Sequence, residues 1–451
     1  LPTPNSQFPT PNSQLPTNSL MALKTILFIG LFLAACAGTF FGPIWPMLGY
    51  VAHYCIGPER QWWHGPVAGL GIRYSFTLGA LTAFAMFLHA GNLRFGRSPF
   101  CWHEVLLVLF IGAVWLSVLI GPPTEGRYTH IDHVSMKITK VALFTLMLTH
   151  VVTDFKNLDR LLWVLVICAM ILGMQAWDTP YSSFLRGRLN SVGGPDFTNS
   201  NYFGGCMGAM LWLIGVQFLR SGWWGKGLCF LSGGFTANAI ILTRSRGAVV
   251  GLVAGGIMAL VMAPKRFRAY IALGLVAGGA GFYHLTDERF IERSATIVAP
   301  EGERDASAQS RIEYAKIGLQ IWSRRPWGIG AGNFHQTVGD YDHTRRGRDA
   351  HSAYIRCLTE LGTQGFLLYM ALYGSAFLML NRMRQEQPGL PPERQKDVML
   401  VSFGLMCSLA NLMGSSLTMS LTYTELPWWF IMMPVCLWRI VGNAQMRAIE
   451  V

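Results

Sequence analysis

Apolar residues in this chain come as continuous blocks rather than in alternation with polar ones. The blocks lie at approximately 21–55, 67–90, 100–120, 135–153, 158–177, 199–219, 223–243, 246–263, 267–284, 352–380, 398–416 and 427–442. Most have the roughly 18–25 residues that a helix needs to cross a hydrocarbon core of ~30 Å. Lipid offers no partner to a backbone N–H or C=O, so a spanning segment is either a helix or a strand of a closed barrel. Barrel strands would read as stretches of ~10 residues with alternating polarity, and the blocks do not. The pattern predicts an all-α integral membrane protein of about 12 transmembrane helices. The first block is long enough for one extended helix, or for a helix and a re-entrant piece broken near Gly42, Pro43 and Pro46.

The connections set the orientation. Arg94 and Arg97, Lys156 and Arg160, Arg220 and Lys226, Lys265, Arg266 and Arg268, and Arg382, Arg384, Arg394 and Lys396 fall in every second loop. Cytoplasmic loops collect Lys and Arg, so these are predicted to be cytoplasmic. The alternate set is then external: 56–66, 121–134, 178–198, the tight Thr243–Arg246 turn, 285–351 and 417–426. If the first block crosses once, both termini are cytoplasmic. The expected organisation is a low-complexity leader at 1–20, transmembrane helices over 21–284, a long external loop domain at 285–351, further spans over 352–442 and a cytoplasmic tail at 443–451. The leader repeats LPTPNSQ and FPTPNSQ ahead of Met21 and is expected to be disordered or non-native. In the long loop, SAQSRIEYAKIGLQIWSRR sets Ile312, Ala315, Ile317, Leu319 and Trp322 among charges, an amphipathic helical pattern.

Composition agrees with this picture. The chain is 51% hydrophobic and 13% charged, about half the charged share of an ordinary globular domain. The net charge of +12 follows mostly from the loop rule, and no soluble basic domain exists to hold nucleic acid. Cys36, Cys168, Cys206, Cys229, Cys407 and Cys436 sit inside apolar blocks without CxxC spacing, so they read as small buried residues rather than metal ligands.

Three external features run against the membrane rules. Arg186 and Arg188 occur in FLRGRLNSVGGPDFTNSN, where positive charge is not favoured. Arg244 and Arg246 flank a tight turn between two apolar helices, where desolvating a guanidinium is costly. His351 follows RRGRDA at the start of the next helix. Each has a structural alternative: the first pair can snorkel to headgroups, the second can anchor lipid phosphates, and the histidine can cap its helix. Together they suggest an anionic leaving group held by guanidinium forks and a hydroxyl activated by an imidazole. Asp340 and Asp342 form a DxD string in a Gly/His-rich loop, read as a chance match. Gly328, Gly330 and Gly332 give a turn but are followed by no Lys-Ser/Thr, so a nucleotide loop is excluded.

These residues carry a resemblance. RLNSVGGPDFTNSNYFG, then LTRSRGAVVGL, then SRRPWGIGAGNF, then DAHSAYIRCLTELGTQGFLLY resembles the O-antigen ligase and polymerase superfamily of bacterial envelope glycosyltransferases. The matching positions are Arg188, Gly194 and Asn199 or Asn201; Ser245, Arg246, Gly247 and Ala248; Arg325, Pro326, Gly328, Gly330, Asn333 and Phe334; and His351, Ser352, Tyr354, Glu360, Gly362 and Gly365. The resemblance covers roughly 185–370. It implies a glycosyltransferase of the polytopic, type C-like architecture, active in lipopolysaccharide biosynthesis. The implied reaction moves a glycan from undecaprenyl diphosphate to an acceptor hydroxyl, inverting and without metal or other cofactor. In a ligase the acceptor is a lipid A–core sugar; in a polymerase it is another repeat unit. The implied place is the bacterial inner membrane, with the active site facing the periplasm.

On that reading His351 deprotonates or orients the acceptor hydroxyl, while Arg188, Arg246 and Arg311 hold the diphosphate. Arg186, Arg244, Asn333 and Tyr354 support them. Glu360, nine residues after His351, lies about two and a half helical turns on and is expected to tie its helix to a neighbour. The rival of another class is a polytopic transporter, which would show ionisable residues at the midplane and matching halves; no half-to-half similarity is visible.

Overall fold

A computed structural model describes residues 18–93, 100–122, 133–185, 187–285 and 306–450. Residues 1–17, Arg94, Arg97, Arg186 and the 286–305 part of the long loop lie outside the described residues. Those described form a bundle of α-helices: α1 (Asn18–Ala37), α2 (Ile44–Ile56), α3 (Tyr74–Leu88), α4 (Trp102–Ile120), α5 (Val134–Val151), α6 (Phe155–Asp178), α7 (Ser200–Arg220), α8 (Trp223–Thr243), α9 (Arg246–Met262) and α10 (Lys265–Leu285). Two shorter-chain elements of the long loop follow, α11 (Ala306–Arg324) and α12 (Phe334–Tyr341), then α13 (Ala353–Met383), α14 (Pro392–Ser416) and α15 (Glu425–Glu450). Eight of the helices are long and apolar enough to cross a membrane. Phe76, Phe87, Leu119, Trp223 and Trp224 are largely exposed on the outside of the bundle, as expected where lipid rather than water is the surrounding medium. The chain is an all-α integral membrane protein, as the block pattern predicted.

Local chemistry sets the helix ends. Asp154 accepts from the backbone N–H of Asn157 at 2.9 Å to start α6, and Ser245 accepts from Ala248 at 3.3 Å to start α9; both satisfy donors that a first turn leaves orphaned. Arg244, between α8 and α9, takes a left-handed conformation with φ 45°, which closes the tight turn.

The first apolar block does not cross once. Gly38–Phe40 forms a turn of 3-10 helix and Pro43 precedes α2, so the chain reverses. Near the start of α1, Thr25 donates to the carbonyl of Trp63, beyond α2, at 2.5 Å. The His89 ring, beyond α3, meets the carbonyl of Thr39, between α1 and α2, at 3.2 Å. α1 and α2 are therefore a helical hairpin. The Cys55 carbonyl at the end of α2 accepts from Gly194 at 3.1 Å, placing the start of α1 at the end of the bundle that carries loop 179–199. At the other end, Gln445 in α15 donates to Pro388 at 3.0 Å. Asn18 and Glu450 thus lie at opposite ends of the bundle, which corrects the expectation of both termini on one side. α1 also begins ahead of Met21, so the helix takes in the last residues assigned to the leader.

The long loop is docked, not pendent. Residues 326–330 run alongside a break in α13, where Gly362 has φ 73° and ψ −175°. Ile329 donates to Thr359 at 3.0 Å, Gly330 to Glu360 at 3.0 Å, and Thr363 returns a bond to Pro326 at 2.8 Å. A side chain on Gly362 would come within 2.4 Å of the Trp327 backbone, and one on Gly328 within 2.6 Å of the Glu360 carbonyl. The glycines of RPWGIGAGNF let two backbones lie against each other. Tyr314, Ile321, Ile329, Phe334, Val338 and Ala350 form a small core beneath this junction, with Ile355 of α13 packed against it.

Candidate functional site

Three of the four sequence motifs meet around the first turn of α7; the fourth, RPWGIGAGNF, is docked on α13. Arg188 donates through Nε to the Thr243 carbonyl at 2.9 Å and through Nη2 to Asn201 Oδ1 at 2.6 Å. The same Asn201 oxygen accepts from the Ser245 hydroxyl at 2.9 Å. One amide thereby joins the arginine loop to the Ser245-Arg246-Gly247 turn. Arg246, first residue of α9, is 8% exposed; a guanidinium so placed demands anionic or polar company. Gly187 abuts the Arg244 guanidinium, a Cβ there falling 2.8 Å from Nη1. Arg188, Arg244 and Arg246 are therefore brought to one region.

The next residue, Tyr202, carries the link to the histidine segment. Its hydroxyl donates to Asp349 Oδ2 at 3.0 Å. Asp349 in turn lies 3.4 Å from Arg356 Nη1. Burial alone would raise the Asp349 carboxyl; Arg356 beside it, with His351 and His335, outweighs burial and holds it below its ordinary value.

His351 stands between these groups and the long loop. Its φ of 51° is left-handed, a conformation that costs free energy for a residue with a Cβ and gathers at functional positions. The ring sits 5.9 Å, centroid to centroid, from Tyr314 of α11. Burial lowers its proton affinity most; Asp349 opposes that, and the charges of Arg311, His335 and Arg348 lower it further. The balance favours the neutral imidazole, the form able to accept a proton. Arg311, one helical turn before Tyr314, is near enough for its charge to act on the imidazole.

Two supporting positions serve the fold instead. Asn333 is 2% exposed and donates to Ile329 at 2.7 Å and to Pro122 at 3.1 Å, pinning the docked loop. The Tyr354 hydroxyl donates to the Met413 carbonyl of α14 at 2.9 Å. Both side chains donate to backbone carbonyls. Glu360 does tie its helix to neighbours: it accepts from Gly332 at 2.8 Å, Phe334 at 3.2 Å, Arg356 at 3.2 Å and the Tyr423 hydroxyl at 2.7 Å. Asp342 caps Thr344 at 2.9 Å and pairs with Arg345 at 2.6 Å, a local role for the DxD string. No group of three or more His, Cys, Asp or Glu side chains among the described residues is placed to hold a metal ion.

Sequence reasoning missed Tyr202, Asp349 and Arg356 as partners, although all three lie inside the motifs. Their signal was weak: only Asp349, two residues before His351, is a local neighbour. A second polar cluster was missed altogether. Asp196 accepts from Tyr54 at 2.7 Å and from the backbone of Glu425 at 2.9 Å, and is paired with Lys137. It draws α2, α5, α15 and the arginine loop together at the same end of the bundle.

These features define a class, a polytopic membrane protein with an arginine- and histidine-bearing site at one end of its helices. A family model described as O-antigen ligase matches residues 231–370, a stretch of the chain that supports its similarity to the superfamily of O-antigen ligases and polymerases. The matched stretch holds the Ser245-Arg246 turn, the docked loop and His351, while Arg188 and Asn201 lie before it. No curated protein matches the chain.

Proposed function

We propose that this chain is an O-antigen ligase-like glycosyltransferase that moves a glycan from undecaprenyl diphosphate to an acceptor hydroxyl, a lipid A–core sugar, at the periplasmic face of the inner membrane. The acceptor oxygen attacks the anomeric carbon as the bond from that carbon to the phosphate oxygen breaks, with inversion. The hydroxyl proton passes to His351 Nδ1 or Nε2, and the lipid diphosphate leaves with the electron pair. Arg188, Arg246 and Arg311 meet the charge that develops on the leaving oxygen; fixed donors aimed at developing charge lower the barrier most where water is scarce. The observation carrying the reading is the continuous path of contacts from Arg188 through Asn201 and Tyr202 to Asp349, beside His351. Guanidinium groups and a neutral imidazole around one reacting centre suit metal-independent displacement of a diphosphate.

The test is transfer by purified protein from a lipid-diphosphate donor to a panel of acceptors, with chelator present. His351→Ala and Arg246→Ala are expected to abolish product while leaving the protein folded. Full activity in both removes the assignment, and collapse with chelator removes its metal-independent part. Gene deletion separates ligase from polymerase: polymer accumulating on its lipid carrier marks a ligase, single repeats a polymerase.

A further inference from the structure

A cavity opens at the end of the bundle away from His351. It has a volume of about 620 Å³ and lies between the start of α2, the first turns of α6 and the start of α14. Its wall is apolar: Trp45, Leu48 and Trp163 line it, and Trp45 is 40% exposed. Its rim is cationic, with Lys156, Arg160 and Arg394 converging from two helices. Aromatic faces hold the two arginines. The Arg160 guanidinium lies 4.7 Å from the Trp45 ring and that of Arg394 lies 4.8 Å from Phe155. The carboxylate in the lining, Asp159, is engaged by Arg220 at 2.6 Å. Asp397, which pairs with Arg394 at 3.3 Å, also faces Arg220, at 3.0 Å. Asp154 is occupied in capping α6. Lys156, Arg160, Arg220 and Arg394 outnumber Asp154, Asp159 and Asp397 around the opening, and among the described residues Lys156 and Arg160 are in no ion pair with these acids.

We propose that this groove binds an anionic phospholipid of the surrounding leaflet. The phosphate would rest on Lys156, Arg160 and Arg394, and an acyl chain would lie along Trp45, Leu48 and Trp163. Cations in a pocket between transmembrane helices, just beyond the hydrocarbon, are the arrangement that recognises anionic headgroups. Guanidinium forks suit phosphate oxygens. A cavity of this size accommodates a headgroup and the top of a chain, and the apolar wall selects a lipid over a free anion.

Native mass spectrometry of the detergent-purified full chain tests this, using phosphatidylglycerol, phosphatidylcholine and inorganic phosphate as probes. One phosphatidylglycerol per chain is expected to be retained in preference to phosphatidylcholine. Lys156→Glu, at an exposed side chain, is expected to weaken retention at least tenfold, and Lys156→Gln with Arg160→Gln and Arg394→Gln to abolish it. Equal retention of the two lipids, full displacement by inorganic phosphate in tenfold excess, or unchanged retention in Lys156→Glu would each overturn the proposal. Should the triple variant fail to fold, the single variant decides.

Discussion

The Tyr202 hydroxyl reaches the Asp349 carboxylate at 3.0 Å across 147 positions of sequence. That bond ties the first turn of α7, which also carries the Asn201 clasp on Arg188, to the segment that holds His351. Tyr202→Phe removes the donor without changing the packing volume. A hydrogen bond to a charged acceptor contributes about 1.5–3 kcal/mol, so the variant is expected to fold but to lose transfer rate by roughly tenfold or more as Asp349 loosens. Thermal unfolding in detergent alongside steady-state kinetics checks both halves.

The direction of the His351 shift fixes a pH dependence. Its proton affinity is lowered by burial and by Arg311, His335 and Arg348, against Asp349, so the neutral base persists as pH falls and is lost only below the ordinary histidine range. Transfer is expected to be level around neutrality and to decline on acidification past that range. Arg348→Gln withdraws a positive charge and should move the acid limb to higher pH. Asp349→Asn withdraws the opposing negative charge and should move it lower. A pH–rate profile for the three proteins reads the signs directly; coincident limbs would remove His351 as the titrating base.

Glu360 is fully buried and accepts from four donors on three segments. Truncating it leaves Arg356 with Asp349 as its remaining carboxylate partner and takes the acceptor from Gly332, Phe334 and Tyr423. Breaking one partner of a buried ion pair costs about 3–5 kcal/mol, so Glu360→Ala is expected to unfold at markedly lower temperature or to fail in expression. Glu360→Gln keeps the shape and some of the bonds and should fall between.

At Gly362 the penalty comes from shape. A left-handed backbone costs a non-glycine residue of order 1–3 kcal/mol, and the added carbon would meet Trp327 at 2.4 Å. Gly362→Ala should detach residues 326–330 from α13. Limited proteolysis of the variant is expected to cut near this junction where wild type resists.

Far from the site, Arg439 and Glu104 are both fully buried and joined at 2.8 Å, with Thr149 donating to the same carboxylate at 2.6 Å. Either single change, Arg439→Met or Glu104→Met, leaves an uncompensated charge and should lower the unfolding temperature sharply. The double replacement by methionine should restore most of the loss, since apolar substitutes for a buried pair are often neutral. A double-mutant cycle by thermal unfolding measures the coupling.

The helical class and the nearness of the Arg188 loop to the Ser245-Arg246 turn were legible because each has a local signature: a run of apolar residues, a charge in a loop, a short motif. The α1–α2 reversal was legible only as an alternative to a single crossing. Residues 21–55 hold no charge between Lys24 and the block's end, so only Gly42, Pro43 and Pro46 mark the break. Asn333 and Tyr354 were placed with the site because they lie inside its motifs, but sharing a motif does not decide where a side chain points. Asp349 and Arg356 escaped notice for the opposite reason: their pairing with Tyr202 and Glu360 is settled by helices meeting in space.

The loop that carries Arg311 borrows Ile355 from α13 to complete its own small core, and its backbone is bonded into the break of that helix. Cut free as a soluble fragment, it would expose Ile321, Phe334 and Val338 to water and lose the carboxylate that holds its turn. Chimeras between relatives should therefore exchange it together with α13, because the two fold as one piece.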